Sequence, residues 1–177
     1  MTTSPFVPGP PKPDEYDPFY AGYVQRQIGT DVLVRLPEQA AEVEQRFAAV
    51  PPQREGWRYA DGKWSVRQVL GHMIDAERVF GYRAMCIARG ESKPLPGFDE
   101  NEYVADAPFE HLAVADLLRE FLAVRAGHLL LFSHLSPADW SRRGNANGHP
   151  VSVRALPYIM AGHVHHHLEI LATRYGV

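Results

Sequence analysis

The sequence predicts an all-α protein, an up-and-down four-helix bundle with a small β-hairpin before the last helix. Three observations predict it. Long segments repeat apolar residues at three- and four-residue spacing, the period of a half-buried helix. One short stretch, SRRGNANGHPVSV, instead reads as two extended pieces around Asn147-Gly148, a type I′ turn signal. At 177 residues and 45% hydrophobic, the chain can bury one substantial core and is short enough for a single domain.

Five prolines within the first thirteen residues preclude a regular helix there, so residues 1–15 read as a proline-rich arm and 16–177 as the bundle domain. The aromatic residues Phe6, Tyr16, Phe19, Tyr20 and Tyr23 imply that this end packs against something, a partner subunit being one candidate. Residues from about Pro18 to Val50 are expected to be helical, interrupted near Gly29 and Thr30 and restarting with Pro37 in a first helical turn. Ser65 followed by Gln68 is a capping box, and Val66, Val69, Leu70, Met73, Ala76 and Phe80 carry the second helix to about Ala88. Gly90, Pro94, Pro96 and Gly97 mark a long loop that includes the acidic stretch FDENEY from Phe98 to Tyr103. A third helix fits Leu112 to Leu135, with Leu117, Leu118, Phe121, Leu122, Leu129 and Leu130 as its buried stripe. Its His128 and His134 read as ordinary helix residues. Ser152 is placed to cap the last helix, whose inward positions are Leu156, Ile159, Met160, His163, His167, Ile170 and Leu171.

Composition removes several classes. Eighteen basic against twenty-one acidic side chains, with no run of lysine or arginine, disfavour nucleic-acid binding. Cys86 is the only cysteine, so no intrachain disulfide forms. The first residues lack a basic and then apolar signal region, and no apolar run reaches the roughly 18 residues of a membrane helix. A cytoplasmic protein is the simplest expectation.

The segment GHVHHHLE, Gly162 to Glu169, places His163 and His167 four residues apart, on one face of a helix. A third imidazole is available from His72 on the second helix, and three such ligands with a fourth position open define the catalytic arrangement for zinc. His166, three residues after His163, could pair with it instead; the stripe continuing through Ile170 and Leu171 favours His167. His165 points the other way, towards solvent and Glu169. The triplet SVR opens both histidine-bearing helices, at Ser65 and again at Ser152. Asp75, one turn beyond His72, is a candidate to orient that imidazole, or a solvated carboxylate. Glu77 suits an exposed or interhelical role.

YADGKWSVRQVLGHMIDAERVFGYR, Tyr59 to Arg83, together with YIMAGHVHHHLEIL, Tyr158 to Leu171, resembles the DinB/YfiT-like superfamily of bacterial four-helix metalloproteins. Phe98-Asp99-Glu100 in the long loop is similar to YfiT-like members. The resemblance implies that a divalent metal, zinc or nickel, is bound by His72, His163 and His167, with His165 and His166 as companions that do not bind it. It also implies a homodimer, and a thiol transferase or isomerase working on a low-molecular-weight thiol such as bacillithiol or mycothiol and an electrophilic substrate.

Three readings of such a site stay open. An open metal can hold a thiol as thiolate for transfer to an electrophile, the leading expectation, or lower the pKa of water for hydrolysis. A metal that only ties two helices together is the third. Cys86 lies fourteen residues beyond His72 on the same helix, about 21 Å along its axis at ~1.5 Å per residue, which favours an open site over a closed one. Glu-x-x-His pairs, which di-iron bundles use, are missing from the inward positions.

Overall fold

A computed structural model describes residues 8–177; Pro5 and Phe6 of the arm lie outside the described residues. After two single turns of 3-10 helix, the chain forms α1 (Ala21–Gln25) and α2 (Val32–Ala48), separated at Gly29, whose φ of 88° only glycine adopts easily. The Asp31 carboxylate accepts the Leu33 N–H at 3.0 Å and so starts α2 earlier than expected. Pro37 therefore sits inside the helix rather than in its first turn.

The second long helix, α3 (Val66–Ala88), begins with the expected capping box. Ser65 Oγ accepts the Gln68 N–H at 3.2 Å, and the Gln68 side chain accepts the Ser65 N–H at 3.0 Å. The acidic stretch expected as loop is instead largely a short helix, α4 (Glu100–Asp106). The Asp99 side chain caps the N–H groups of Asn101 and Glu102, and Glu100 and Glu102 lie in the first turn, where the helix dipole favours carboxylates. Next come α5 (Val114–Ser133) and the single turn α6 (Pro137–Trp140).

The hairpin β1 (Arg143–Ala146) and β2 (His149–Ser152) forms as expected. Asn147 and Gly148 both take positive φ, 53° and 80°, in its two-residue turn. The last helix, α7 (Ala155–Ile170), closes in a π turn, Leu171–Tyr175. Ser152 Oγ accepts the Ala155 N–H at 3.2 Å, so it caps this end although two residues intervene before the helix.

In the bundle, α2 and α3 each pack against both α5 and α7. Glu77 with Arg125, and Gly81 with His128, show that α3 and α5 run in the same direction. His72 with His167, and Phe80 with Ile159, show that α3 and α7 run oppositely. Arg125 against the Leu36 carbonyl joins α5 to α2. Glu42 faces His165, and Arg46 reaches the Val177 carbonyl, so α2 and α7 run together. The four-helix bundle and its hairpin are as expected, but the helix senses are up, down, down, up, so the strict alternation of an up-and-down bundle is broken between α3 and α5. The return crossing between α3 and α5, residues 89–113, contains α4 and makes the parallel pair possible.

One polar knot lies inside. Arg125 is fully buried and binds Glu77 in a two-pronged pair at 2.9 and 2.6 Å, while its remaining nitrogen donates to the Leu36 carbonyl at 2.8 Å. His128 Nδ1 meets Glu77 at 3.3 Å, so it is more than an ordinary helix residue. Arg125 occupies the buried stripe in place of Leu130, which is 63% exposed. Leu130 lies nine residues beyond Phe121, half a turn round at about 100° per residue.

The arm packs on its own chain. Glu15 is buried against Ser152 and Arg154, and the Tyr158 hydroxyl donates to the Pro8 carbonyl at 3.4 Å. Among the described residues no helix is long and apolar enough to cross a membrane.

Candidate metal centre

The antiparallel pair α3 and α7 brings three imidazoles to one point. His72 Nε2 lies 2.9 Å from His163 Nε2, which lies 3.1 Å from His167 Nε2. One ring nitrogen from each of the three falls within 4.8 Å of the others. Nitrogens held tetrahedrally at 2.0–2.1 Å from an ion stand about 3.3 Å apart, so the cluster has the dimensions of a metal site. The rings meet at 62°, 68° and 70°, edges converging rather than faces stacking.

All three are buried, and burial drives every one towards the neutral form. His72 is lowered to about 4, and His163 and His167 fall well below the usual imidazole range, helped by their neighbours. Neutral imidazole is the form that binds a cation. The donor set therefore fits a divalent ion.

Aromatic side chains wall the cluster. Trp64 lies 4.7 Å from the His72 ring, while Tyr23 and Phe80 lie edge-on to His163 at 5.8 and 5.9 Å. Gly162 permits this packing, since a Cβ there would stand 2.3 Å from the Tyr23 carbonyl oxygen. A cleft of about 330 Å³ reaches His72 and His163 between Tyr20, Tyr23, Phe98 and Arg83. A smaller one of about 230 Å³ reaches His167 past Trp64 and Tyr175. A larger cleft, about 810 Å³, runs between α2 and the end of α7 and touches none of the three histidines.

Other residues singled out in the sequence sit apart from the nitrogens. His166 lies half-buried against Tyr23 at 5.5 Å, and His165 is exposed. Glu169 is taken by Arg26 at 2.5 Å rather than by His165. Asp75 is half-buried and faces Arg78 at 3.9 Å; it makes no hydrogen bond to His72. Burial raises its pKa. Cys86 is half-buried on the far part of α3. From the α4 region, Phe98 and Glu100 border the larger metal cleft and Asn101 the smaller.

Tyr23, Trp64, Phe80 and Arg83 were not identified as site residues from sequence. Phe80 and Arg83 had a legible signal, for both fall on the buried stripe of α3 that runs through Met73 and Ala76. Tyr23 and Trp64 reach the site from outside that periodicity.

Fold and site together define a helical bundle with a buried three-histidine cluster open to two clefts. The chain belongs to the DinB superfamily, whose family model matches residues 35–171. Among solved structures it is similar to YfiT from Bacillus subtilis, a probable metal-dependent hydrolase with an unusual four-helix bundle topology. That likeness has a TM-score of 0.73 at 20% identity over 82% of this chain and 86% of the other. It is also similar to the mycothiol-dependent maleylpyruvate isomerase, with a TM-score of 0.65 at 16% identity over 77% of this chain and 58% of that one. No curated protein sequence matches the chain.

Proposed function

We propose that the protein is a metal-dependent enzyme that transfers a low-molecular-weight thiol to an electrophilic substrate. The observation that carries this reading is the convergence of the three Nε2 atoms on a point reached by an aromatic-walled cleft. His72, His163 and His167 would hold the ion, with zinc or nickel the metals suited to imidazole. A divalent ion there would lower the pKa of a thiol or water that reaches it.

The residues of the chain do the rest. Burial keeps the three rings neutral, Tyr23 packs against His163 and Trp64 against His72, and these aromatic walls limit bulk water. Among the described residues no carboxylate hydrogen-bonds one of the three imidazoles. The likeness in fold to the mycothiol-dependent maleylpyruvate isomerase supports a thiol, which ionises readily, as the group brought to the ion. Hydrolysis is the second reading, supported by the likeness in fold to YfiT.

The deciding experiment is metal content of untagged protein by elemental analysis, for wild type, His72→Ala and His167→Ala. Near one equivalent in wild type, lost in both variants with helicity retained, is expected. Stoichiometry unchanged in both would refute the three-histidine assignment. Thiol consumption against electrophiles, compared with ester and amide hydrolysis on the loaded protein, then separates the two reactions.

A further inference from the structure

Arg83 is a buried cation without an anion. The residue is 4% exposed, its Nε–H has no hydrogen-bond partner, and its guanidinium donates to the Pro96 carbonyl at 3.0 Å and faces the neutral Tyr20 hydroxyl. The contrast is with Arg125, also buried but matched by both oxygens of Glu77. Among the described residues no carboxylate lies within ion-pair distance of Arg83, and the buried acids Glu77 and Glu15 are held by Arg125 and Arg154. Taking an unpaired guanidinium out of water is unfavourable unless something supplies the missing charge.

Arg83 lines the same cleft as His72 and His163. Phe80 neighbours both, 6.0 Å from the guanidinium and 5.9 Å from the His163 ring. Taken end to end, those distances place the guanidinium no more than about 12 Å from the imidazole. The rim carries Asp17, bound to His149 at 3.1 Å, and the exposed Glu100. One cation inside and two acids at the mouth suit a single negative charge better than a dianionic phosphate.

We propose that Arg83 binds the carboxylate of a small monoanionic substrate whose apolar body lies along Phe80, Tyr20 and Phe98, with its reactive end directed at the three histidines. Guanidinium suits this task, because its planar fork matches a carboxylate. The inference rests on the metal-dependent reading for the reaction, but the anion site itself does not need the ion.

The test compares 3-phenylpropionate with its uncharged analogue 3-phenylpropionamide, by calorimetry and by ligand-induced shift in melting temperature. Wild type, Arg83→Met and Arg83→Lys are each measured free of metal and loaded with zinc. The metal-free measurement removes direct carboxylate ligation of zinc as a source of preference. Wild type should bind the acid at least about tenfold more tightly than the amide. Arg83→Met should lose that ratio and Arg83→Lys keep part of it, with zinc stoichiometry unchanged in every variant. An equal ratio in wild type and Arg83→Met, or no discrimination by wild type, overturns the proposal. Should Arg83→Met fail to fold, the wild-type ratio and Arg83→Lys decide. Discrimination intact in a wild type that takes up no zinc would refute the metal reading while upholding this one.

Discussion

Glu15 ties the N-terminal arm to the start of α7, and replacing it with glutamine should weaken the fold by an amount that depends on pH. The carboxylate accepts the Ser152 hydroxyl at 2.8 Å and two bonds from Arg154, one of them from Nε at 2.6 Å. Burial pushes its pKa up, but the bonds from Arg154 and Ser152 outweigh this and hold it at about 2, against an ordinary 4.5. At 1.36 kcal/mol per pH unit the gap corresponds to about 3 kcal/mol, which water reaching the partly exposed Arg154 reduces to about 2 kcal/mol. The native pKa lies below the unfolded one. The contribution is therefore complete above about pH 4.5 and is lost as pH falls through about 2. Glu15→Gln should cost about 2 kcal/mol at pH 7, and wild type and variant should converge as pH falls through and below about 2, where Glu15 itself becomes uncharged. Urea unfolding followed by circular dichroism from pH 7 downwards measures the difference. A cost below roughly 0.5 kcal/mol at pH 7, or one that does not change with pH, would refute the reasoning.

Two further perturbations test the scaffold of the site. Arg125→Met strands the buried Glu77 and should destabilise by about 3–5 kcal/mol, whereas Arg125→Met with Glu77→Leu should recover much of that loss; equilibrium unfolding of both variants checks it, and no recovery in the double variant would mean the knot is not a simple ion pair. Gly162→Ala sets a methyl 2.3 Å from the Tyr23 carbonyl, a backbone atom, so α1 must move off α7 at a cost of roughly 1–3 kcal/mol. Reduced burial of Tyr23 should then show as faster hydrogen exchange across α1, and unchanged exchange would count against the packing described.

Much of the architecture was legible because it rests on local signals. The Ser65 capping box, the stripe from Val66 to Phe80 and the Asn147-Gly148 turn each specify their own geometry, and each appears where the sequence placed it. The histidine cluster was legible for a related reason, since four-residue spacing on α7 fixes two of its members and the periodicity of α3 turns the third inward. What was less legible depends on competition between local signals or on contacts far apart in sequence. Pro37 reads as a helix start, yet the Asp31 cap begins α2 earlier and the helix runs on through the proline. The acidic charges of FDENEY read as solvated loop, while the same charges cap and begin α4. Leu130 reads as core by its type, but its phase puts it on the outer face, and Arg125 is drawn inside by Glu77, 48 residues away.

The order of the bundle follows from where its long connection lies. Residues 89–113 carry the chain back along the bundle, so α5 runs parallel to α3 and α7 is left to run antiparallel to it. Only an antiparallel neighbour sets residues near the start of α3 against those near the end of α7, which is where His72 and His167 lie. The same crossing delivers Phe98 and Glu100 to the mouth of the cleft and sets the Pro96 carbonyl against Arg83. One connection thus both determines the pairing that assembles the three imidazoles and builds the entrance through which a ligand reaches them. Variation in residues 89–113 should accordingly alter what the cleft admits while leaving the histidine cluster intact, since none of the three histidines belongs to that segment.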